Sequence, residues 1–260
     1  MPYADLHVHT TRSDGTLALE DVPRAATDAG VSVVALTDHD RTQPLEAPLV
    51  EREGVTLVHG IELRVDAGDV RLDLLGYGLE PTPALEACLR DLQRDRRERA
   101  KAIVELVEDH CGVSLECPIS DGVGRPHIAT AIAEHPGIDY GYQGAFDHLI
   151  GSDGPCYVSR SIPDLERGRR LLEESATLVS LAHPLRYPDT AKALSVAVDL
   201  GAVELHYPYG GDPDTTAIER AVADHGLLIT GGSDAHGETL GEAGLTRAEY
   251  ERLGVATGRR

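Results

Sequence analysis

Apolar residues occur in short runs separated by amphipathic stretches over the first 80 positions. Residues 3–8, 31–36 and 55–63 read as buried strands, and 70–79 as a further extended segment. Between them, residues 21–29, closed by Gly30, and 43–53, closed by Gly54, read as helices. This strand-helix rhythm predicts a parallel sheet or barrel. From 82 to 108 the period lengthens to that of one long helix. Leu85, Cys88, Leu89, Leu92, Ile103, Leu106 and Val107 share a face, and the charged block 90–101 forms a solvated opposite face. Shorter helical pieces follow at 128–134 and 144–149. Alternation then returns, with helices at 164–174, 190–200, 215–225 and 247–253 and strands at 177–182, 202–205 and 227–230. The expected organisation is an α/β domain from residues 1–81 and 161–260, with a helical insertion, 82–160, capping its active site.

The predicted strand ends carry the polar clusters. His7 and His9, two apart at the end of the first strand, share a face. Thr37-Asp38-His39-Asp40 follows the second strand and Gly60-Ile61-Glu62 closes the third, while Ala182-His183-Pro184 and Ser233-Asp234-Ala235-His236 follow later ones. In barrel-like α/β folds the carboxyl ends of the strands share one rim, so these residues can converge although they span most of the chain. A lone histidine after a strand more often packs or caps. The ensemble is different, because so many buried imidazoles and carboxylates are unfavourable without a cation. Imidazole with carboxylate suits Zn, Mn or Fe, and more than four ligands imply more than one ion.

Charge narrows the partners. The 260 residues include 24 Lys plus Arg against 44 Asp plus Glu, a formal net charge of −20. Such a surface excludes a broad positive face for long nucleic acids, so a phosphate must be caught locally. Only Lys101 and Lys192 are lysines, and the chain has one Phe and no Trp. That composition suits a cytoplasm with molar salt, where the Debye length is ~3 Å, and it favours a halophilic, haloarchaeal source over the alternative of an ordinary acidic protein. No stretch approaches the ~18 apolar residues of a membrane span, and the N-terminus lacks a signal-peptide pattern. A cytoplasmic protein with no membrane partner is expected; the pattern sets no oligomeric state. The four cysteines are scattered and read as reduced packing residues, with a Cys111–Cys117 bridge left open.

These motifs also carry a resemblance. Asp5-Leu6-His7-Val8-His9-Thr10 with Ser13-Asp14-Gly15, then Leu36-Thr37-Asp38-His39-Asp40, Gly60-Ile61-Glu62, Arg125-Pro126-His127-Ile128-Ala129, Ala182-His183-Pro184 and Gly232-Ser233-Asp234-Ala235-His236-Gly237 resemble the PHP (polymerase and histidinol phosphatase) family of metal-dependent phosphoesterases. The match is closest to its small stand-alone nucleotide phosphatases. The resemblance implies a distorted (β/α)7 barrel with two or three divalent ions. His7, His9, Glu62 and Asp234 would be catalytic and hold one ion, Glu62 would bridge to a second bound by His183, and Asp14, His39 and His236 would hold a third. The family pattern has a histidine before the Leu-Leu-Gly-Tyr stretch where this chain has Asp73. A carboxylate there would still ligate and would favour a harder ion such as Mn.

Metal-activated hydroxide would then attack phosphomonoesters of small molecules, with 3′,5′-bisphosphonucleotides, 5′-nucleotides and short oligoribonucleotides as the expected substrates. Arg125 and His127 are the candidate phosphate donors, since an Arg fork matches phosphate oxygens and helix starts favour anions. Arg160 stands where the resembled branch has a further basic residue. Asp38 and Asp40 would orient ligands, and Glu204 and His206 could line the pocket. Three other functions compete. A barrel amidohydrolase would need a carboxylated lysine at a strand end, whereas Lys101 and Lys192 lie in predicted helices. Histidinol phosphate is a further family substrate, and a non-catalytic metal-binding regulatory module is the third alternative.

Overall fold

A computed structural model describes residues 1–255. The chain divides into two units, Met1–Ala87 with Ile162–Arg260, and Cys88–Ser161. The first unit contains β1 (Ala4–Val8), α1 (Val22–Ala29), β2 (Val33–Leu36), β3 (Leu49–Arg52), β4 (Val55–Asp66) and β5 (Arg71–Tyr77). The long α2 (Pro83–Cys111) leads out of it, and α3 (Arg125–Glu134) and α4 (Tyr142–Ala145) belong to the second unit. The first unit resumes with α5 (Leu165–Glu173), β6 (Leu178–Leu181), α6 (Thr190–Leu200), β7 (Ala202–His206), α7 (Thr216–His225), β8 (Leu228–Gly231) and α8 (Arg247–Arg252).

The strands form one sheet in the order β1-β2-β4-β5-β6-β7-β8, with β3 paired on β4. A parallel bridge from Val8 to Ala235 ties the end of β1 to the loop after β8, so the sheet curls on itself. Strands β1, β2, β4 and β6, β7, β8 pair in parallel within each group, whereas β5 is antiparallel to both β4 and β6. The fold is therefore mixed α/β rather than a uniform strand-helix repeat. Every residue of β1 and β2 is buried, as expected for strands covered on both faces. Alternate residues of β2 serve different layers: Val33 and Ala35 pack with Leu6, Leu75 and Tyr77, while Val34 and Leu36 pack with Val22 and Ala26 of α1.

Three readings of the pattern need correction. The predicted helix at 43–53 does not form; its second half is β3, paired antiparallel to β4. Pro48 removes a donor and disfavours helical backbone before it, so the spacing of Leu45, Leu49 and Val50 could not be realised as a helix. Leu106, expected on the buried face of α2, is 40% exposed, and Arg96, expected on its solvated face, is buried. In the second unit α2 packs through Ala100, Ile103 and Val107 against Ile128, Ile132, Leu149 and Cys156. All four cysteines are free thiols. Among the described residues no helix is long and apolar enough to cross a membrane.

Candidate metal centre

The strand ends of the first unit do converge. Pairing slips between Asp5 and Val8 in β1, and again between Glu204 and His206 in β7. Such irregularities re-aim side chains, and here they fall at His7 and Glu204. Long β4 carries Glu62 past the end of β2, where an isolated bridge joins it to His39. Asp40, His183 and Asp234 adopt positive φ (52°, 28° and 50°), a conformation disfavoured for residues with a Cβ and held here by the surrounding structure.

Glu62 lies at the centre, 1% exposed. Its Oε1 is 3.1 Å from His183 Nε2 and 3.6 Å from His7 Nε2, and its Oε2 is 2.6 Å from His39 Nδ1 and 3.4 Å from His9 Nε2. Asp234 Oδ1 approaches His7 Nε2 and His9 Nε2 at 3.4 and 3.1 Å. Asp14 lies 3.5 Å from His236 Nε2 and 3.8 Å from His39 Nε2. Among the described residues three groups could hold an ion: His9, Asp14, His39 and His236; His7, Glu62 and His183; and His7, His9 and Asp234. His7 Nε2 and His9 Nδ1 are buried without a hydrogen bond. A buried imidazole nitrogen of that kind is unfavourable unless a cation takes its lone pair, so the residues present fit divalent ions.

Comparison with known proteins agrees with this chemistry. The PHP domain family model matches residues 5–151. The chain belongs to the PHP family. A phosphoribosyl 1,2-cyclic phosphate 1,2-diphosphodiesterase from Eggerthella lenta is 32% identical over 249 residues, 90% of this chain and 94% of the relative. A 3′,5′-nucleoside bisphosphate phosphatase from Chromobacterium violaceum is 28% identical over 97% of this chain and 93% of its own. A solved structure of a Bifidobacterium adolescentis protein superposes with a TM-score of 0.79 at 22% identity, covering 99% of this chain and 96% of the other. At that identity it shows the fold alone.

In this PHP chain three buried carboxylates organise the ligands. Glu204 Oε1 is 3.0 Å from His7 Nδ1, and its Oε2 accepts the His183 backbone N–H at 2.8 Å. It thereby aims Nε2 of His7 into the centre and anchors the His183 turn. Asp38 accepts from the Thr10 N–H and hydroxyl, the Ser13 hydroxyl and Gln43 Nε2, and so holds the loop that presents Asp14. Asp5 accepts from the backbone of His7, Ser233 and Gly241, joining the first strand to the last loop. Replacing Glu204 by alanine should weaken Mn²⁺ affinity 10–100-fold, the usual range for such partners, with glutamine partly restoring it. Isothermal titration reads the change; unaltered affinity in both variants would remove the positioning role.

Sequence reasoning missed Tyr207 and Arg186. The Tyr207 hydroxyl donates to Asp234 Oδ2 at 2.8 Å, and Arg186 Nη1 donates to the same oxygen at 3.1 Å and to the Tyr207 hydroxyl at 2.8 Å. Burial and the Asp234 charge push the Tyr207 phenol well above the ordinary phenol range, so it remains a donor at neutral pH. His206 turns to Glu249 instead of the centre, at 3.3 Å.

Electrostatics prepare the carboxylates for cations. Burial would raise Asp14 and Asp234, but His39 beside the first and His7 beside the second hold both well below the usual range. Glu62, also opposed by burial, is held well below it by His39 and His7. Burial pulls His39 down, yet Glu62 and Asp14 push it up to about 9. The carboxylates are thus ionised at neutral pH, and an ion entering beside His39 must displace its proton.

Asp73 sits outside all three ligand groups. Its two oxygens accept from Arg64 Nε and Nη2, both at 2.7 Å, and its Oδ2 is 3.9 Å from His183 Nε2. Within the second unit Arg125 and Arg160 lie close to Arg99, whose guanidinium is lowered to about 10 by burial and by its two neighbours. Arg99 and Arg125 both lie 5.9 Å from the Tyr157 ring centroid, and Arg125 donates to the Ile150 carbonyl. His127 is exposed, its Nδ1 accepting the Gly124 N–H at the start of α3. Arg99 carried no signal of its own in a block that read as a solvated helix face.

Proposed function

We propose that this PHP chain is a metal-dependent phosphoesterase that removes phosphate from small phosphorylated molecules, foremost nucleotides. The 3′,5′-bisphosphates, 5′-monophosphates and short oligoribonucleotides are the substrate classes. The observation that carries the reading is the placing of Glu62 among His7, His9, His39 and His183, a buried anion shared by four imidazoles. His7, His9, Glu62 and Asp234 would hold one ion, with Asp14, His39 and His236 serving another and His183 facing Glu62. Divalent ions at such sites bring a bound water towards neutral pKa and neutralise charge developing on the phosphoryl group.

The chain's own residues supply the remainder. Glu204 fixes His7, and Tyr207 with Arg186 fixes Asp234 through Oδ2, leaving Oδ1 for the centre. Arg125, Arg160 and Arg99 form a cationic set suited to phosphate oxygens, and His127 offers Nε2 beyond its capping bond. With a net charge of −20, such local sets favour small phosphorylated substrates over long nucleic acids. The curled sheet is assigned as a distorted (β/α)7 barrel and the cytoplasm as the site of action. Support for nucleotide substrates comes from the 28% identical bisphosphate phosphatase and from a 5′-3′ exoribonuclease of Haemophilus influenzae, 29% identical over 80% of this chain. The Eggerthella lenta relative adds cyclic phosphodiesters to the substrates worth testing.

With Mn²⁺ in high salt, the purified protein is expected to release phosphate from at least one member of a nucleotide panel, and His7→Ala is expected to abolish that release. A broad panel giving no more phosphate than His7→Ala would refute the assignment.

A further inference from the structure

The antiparallel register of β4 and β5 sets Arg64 directly opposite Asp73. Asp73 is 1% exposed, and the two side chains form a bidentate pair, with Nε and Nη2 each 2.7 Å from one carboxylate oxygen. The pair is locked from both ends: the Asp73 backbone N–H donates to the Tyr187 hydroxyl at 2.8 Å, and the Arg64 backbone N–H donates to Asp40 Oδ1 at 3.1 Å. Among the described residues the third guanidinium nitrogen, Nη1, makes no hydrogen bond, and the side chain keeps 37% of its exposure. The guanidinium thus forms a fixed positive wall of the centre, one carboxylate away from His183.

The three ligand groups are unequally equipped to hold ions. The group of His9, Asp14, His39 and His236 supplies four side chains, and that of His7, His9 and Asp234 has Glu62 Oε2 3.4 Å from His9. The group of His7, Glu62 and His183, like that of His7, His9 and Asp234, has three side chains, and His7 is shared between the two. Beside the His183 group, Asp234 already serves the neighbouring group, and Asp73, 3.9 Å from His183 Nε2, is committed to Arg64. An ion there would lack a fourth protein ligand and would lie close to a guanidinium of like sign.

Resting on the metal-dependent reading above, we propose that the protein binds two divalent ions, and that the Arg64 guanidinium clamped by Asp73 takes the place of an ion at His7, Glu62 and His183. Asp73 is then a positioning residue for Arg64 and not a ligand. A guanidinium can supply charge and a donor to a phosphate oxygen, as an ion would, but it holds no water for attack. Chemistry at this centre is accordingly confined to the other two groups.

The test is the ion count of the full chain, equilibrated with Mn²⁺, freed of excess and measured by native mass spectrometry with elemental analysis. Two ions per chain are expected for the wild type and for Asp73→Asn. Arg64→Gln frees the Asp73 carboxylate and should raise the count to three, whereas Arg64→Lys, which keeps a cation, should stay at two. Three ions in the wild type, or loss of one in Asp73→Asn, overturns the proposal. So does a count of two in a folded Arg64→Gln, because Arg64 would not then be what excludes the third ion. A wild type that binds no ions would overturn the phosphoesterase reading as well, which separates the two failures.

Discussion

Glu62→Gln is expected to reduce nucleotide hydrolysis by at least ~10³-fold, about 4 kcal/mol of transition-state stabilisation, with the fold retained. Glutamine keeps the shape of the side chain and removes only its charge. That charge faces four imidazoles, at 3.6, 3.4, 2.6 and 3.1 Å for His7, His9, His39 and His183. An amide oxygen can approach one cation but cannot serve two groups as an anion. The loss should therefore appear in kcat/KM and in the number of Mn²⁺ ions per chain together. The proton inventory shifts in a defined direction too. Glu62 contributes to holding His7 and His39 above the ordinary imidazole value, so both should titrate lower in the metal-free variant, a change that NMR can follow. A loss below tenfold with the ion count unchanged would remove Glu62 from the centre of the mechanism.

Gly232→Ala should be nearly as damaging for a purely steric reason. A Cβ at this position would lie 2.3 Å from the His7 backbone nitrogen, 2.5 Å from His7 Cβ and 2.8 Å from its Cα. No flexible side-chain tip is available to yield, so the loop after β8 and the end of β1 must separate. Overpacking of this kind costs about 1–3 kcal/mol, and displacing His7 and His9 by ~1 Å would reduce turnover by roughly 10²-fold. Gly237→Ala is the control: it follows His236, and an added Cβ would meet nothing within 4 Å. Thermal melts and steady-state rates should separate the two variants clearly. If they behave alike, the approach of Gly232 to His7 is not what places the ligands.

The readings that survived folding depended on periodicity and on local signals. Residues 4–8 of β1, 33–36 of β2 and 57–63 of β4 are buried without a break because both faces of the sheet are covered, and helix α6 spans the predicted 190–200. It has an Asp189 N-cap and a Gly201 C-cap, both readable in one dimension. The reading failed at 43–53, where a helical spacing of apolar residues coincided with an edge strand. Pro48 excluded the helix, and pairing with β4, a tertiary contact, made a strand of the second half.

At the centre, the identity of the groups was legible and their partnerships were not. His7, His9, His39, Glu62, His183, Asp234 and His236 stand at or just after predicted strand ends, because a polar residue closing an apolar run marks the rim where several strands finish, whereas Asp14 was marked by the family resemblance alone. Asp5 and Glu204 offered a weaker signal, carboxylates placed inside or at the end of otherwise apolar strands. Their bonds to Ser233 and to His7 cross most of the chain and exist only once the sheet has curled. Asp73 shows the division most clearly. Its residue type allowed metal ligation, but the β4–β5 register set Arg64 opposite it, and the guanidinium fork engages both carboxylate oxygens. Hydrophobic pattern and residue chemistry are local quantities, so the strands, the helix caps and the metal-binding character were available from the order of residues alone. Which carboxylate faces an imidazole and which faces an arginine depends on strand register and sheet closure, and these are decided by the packing of the whole domain.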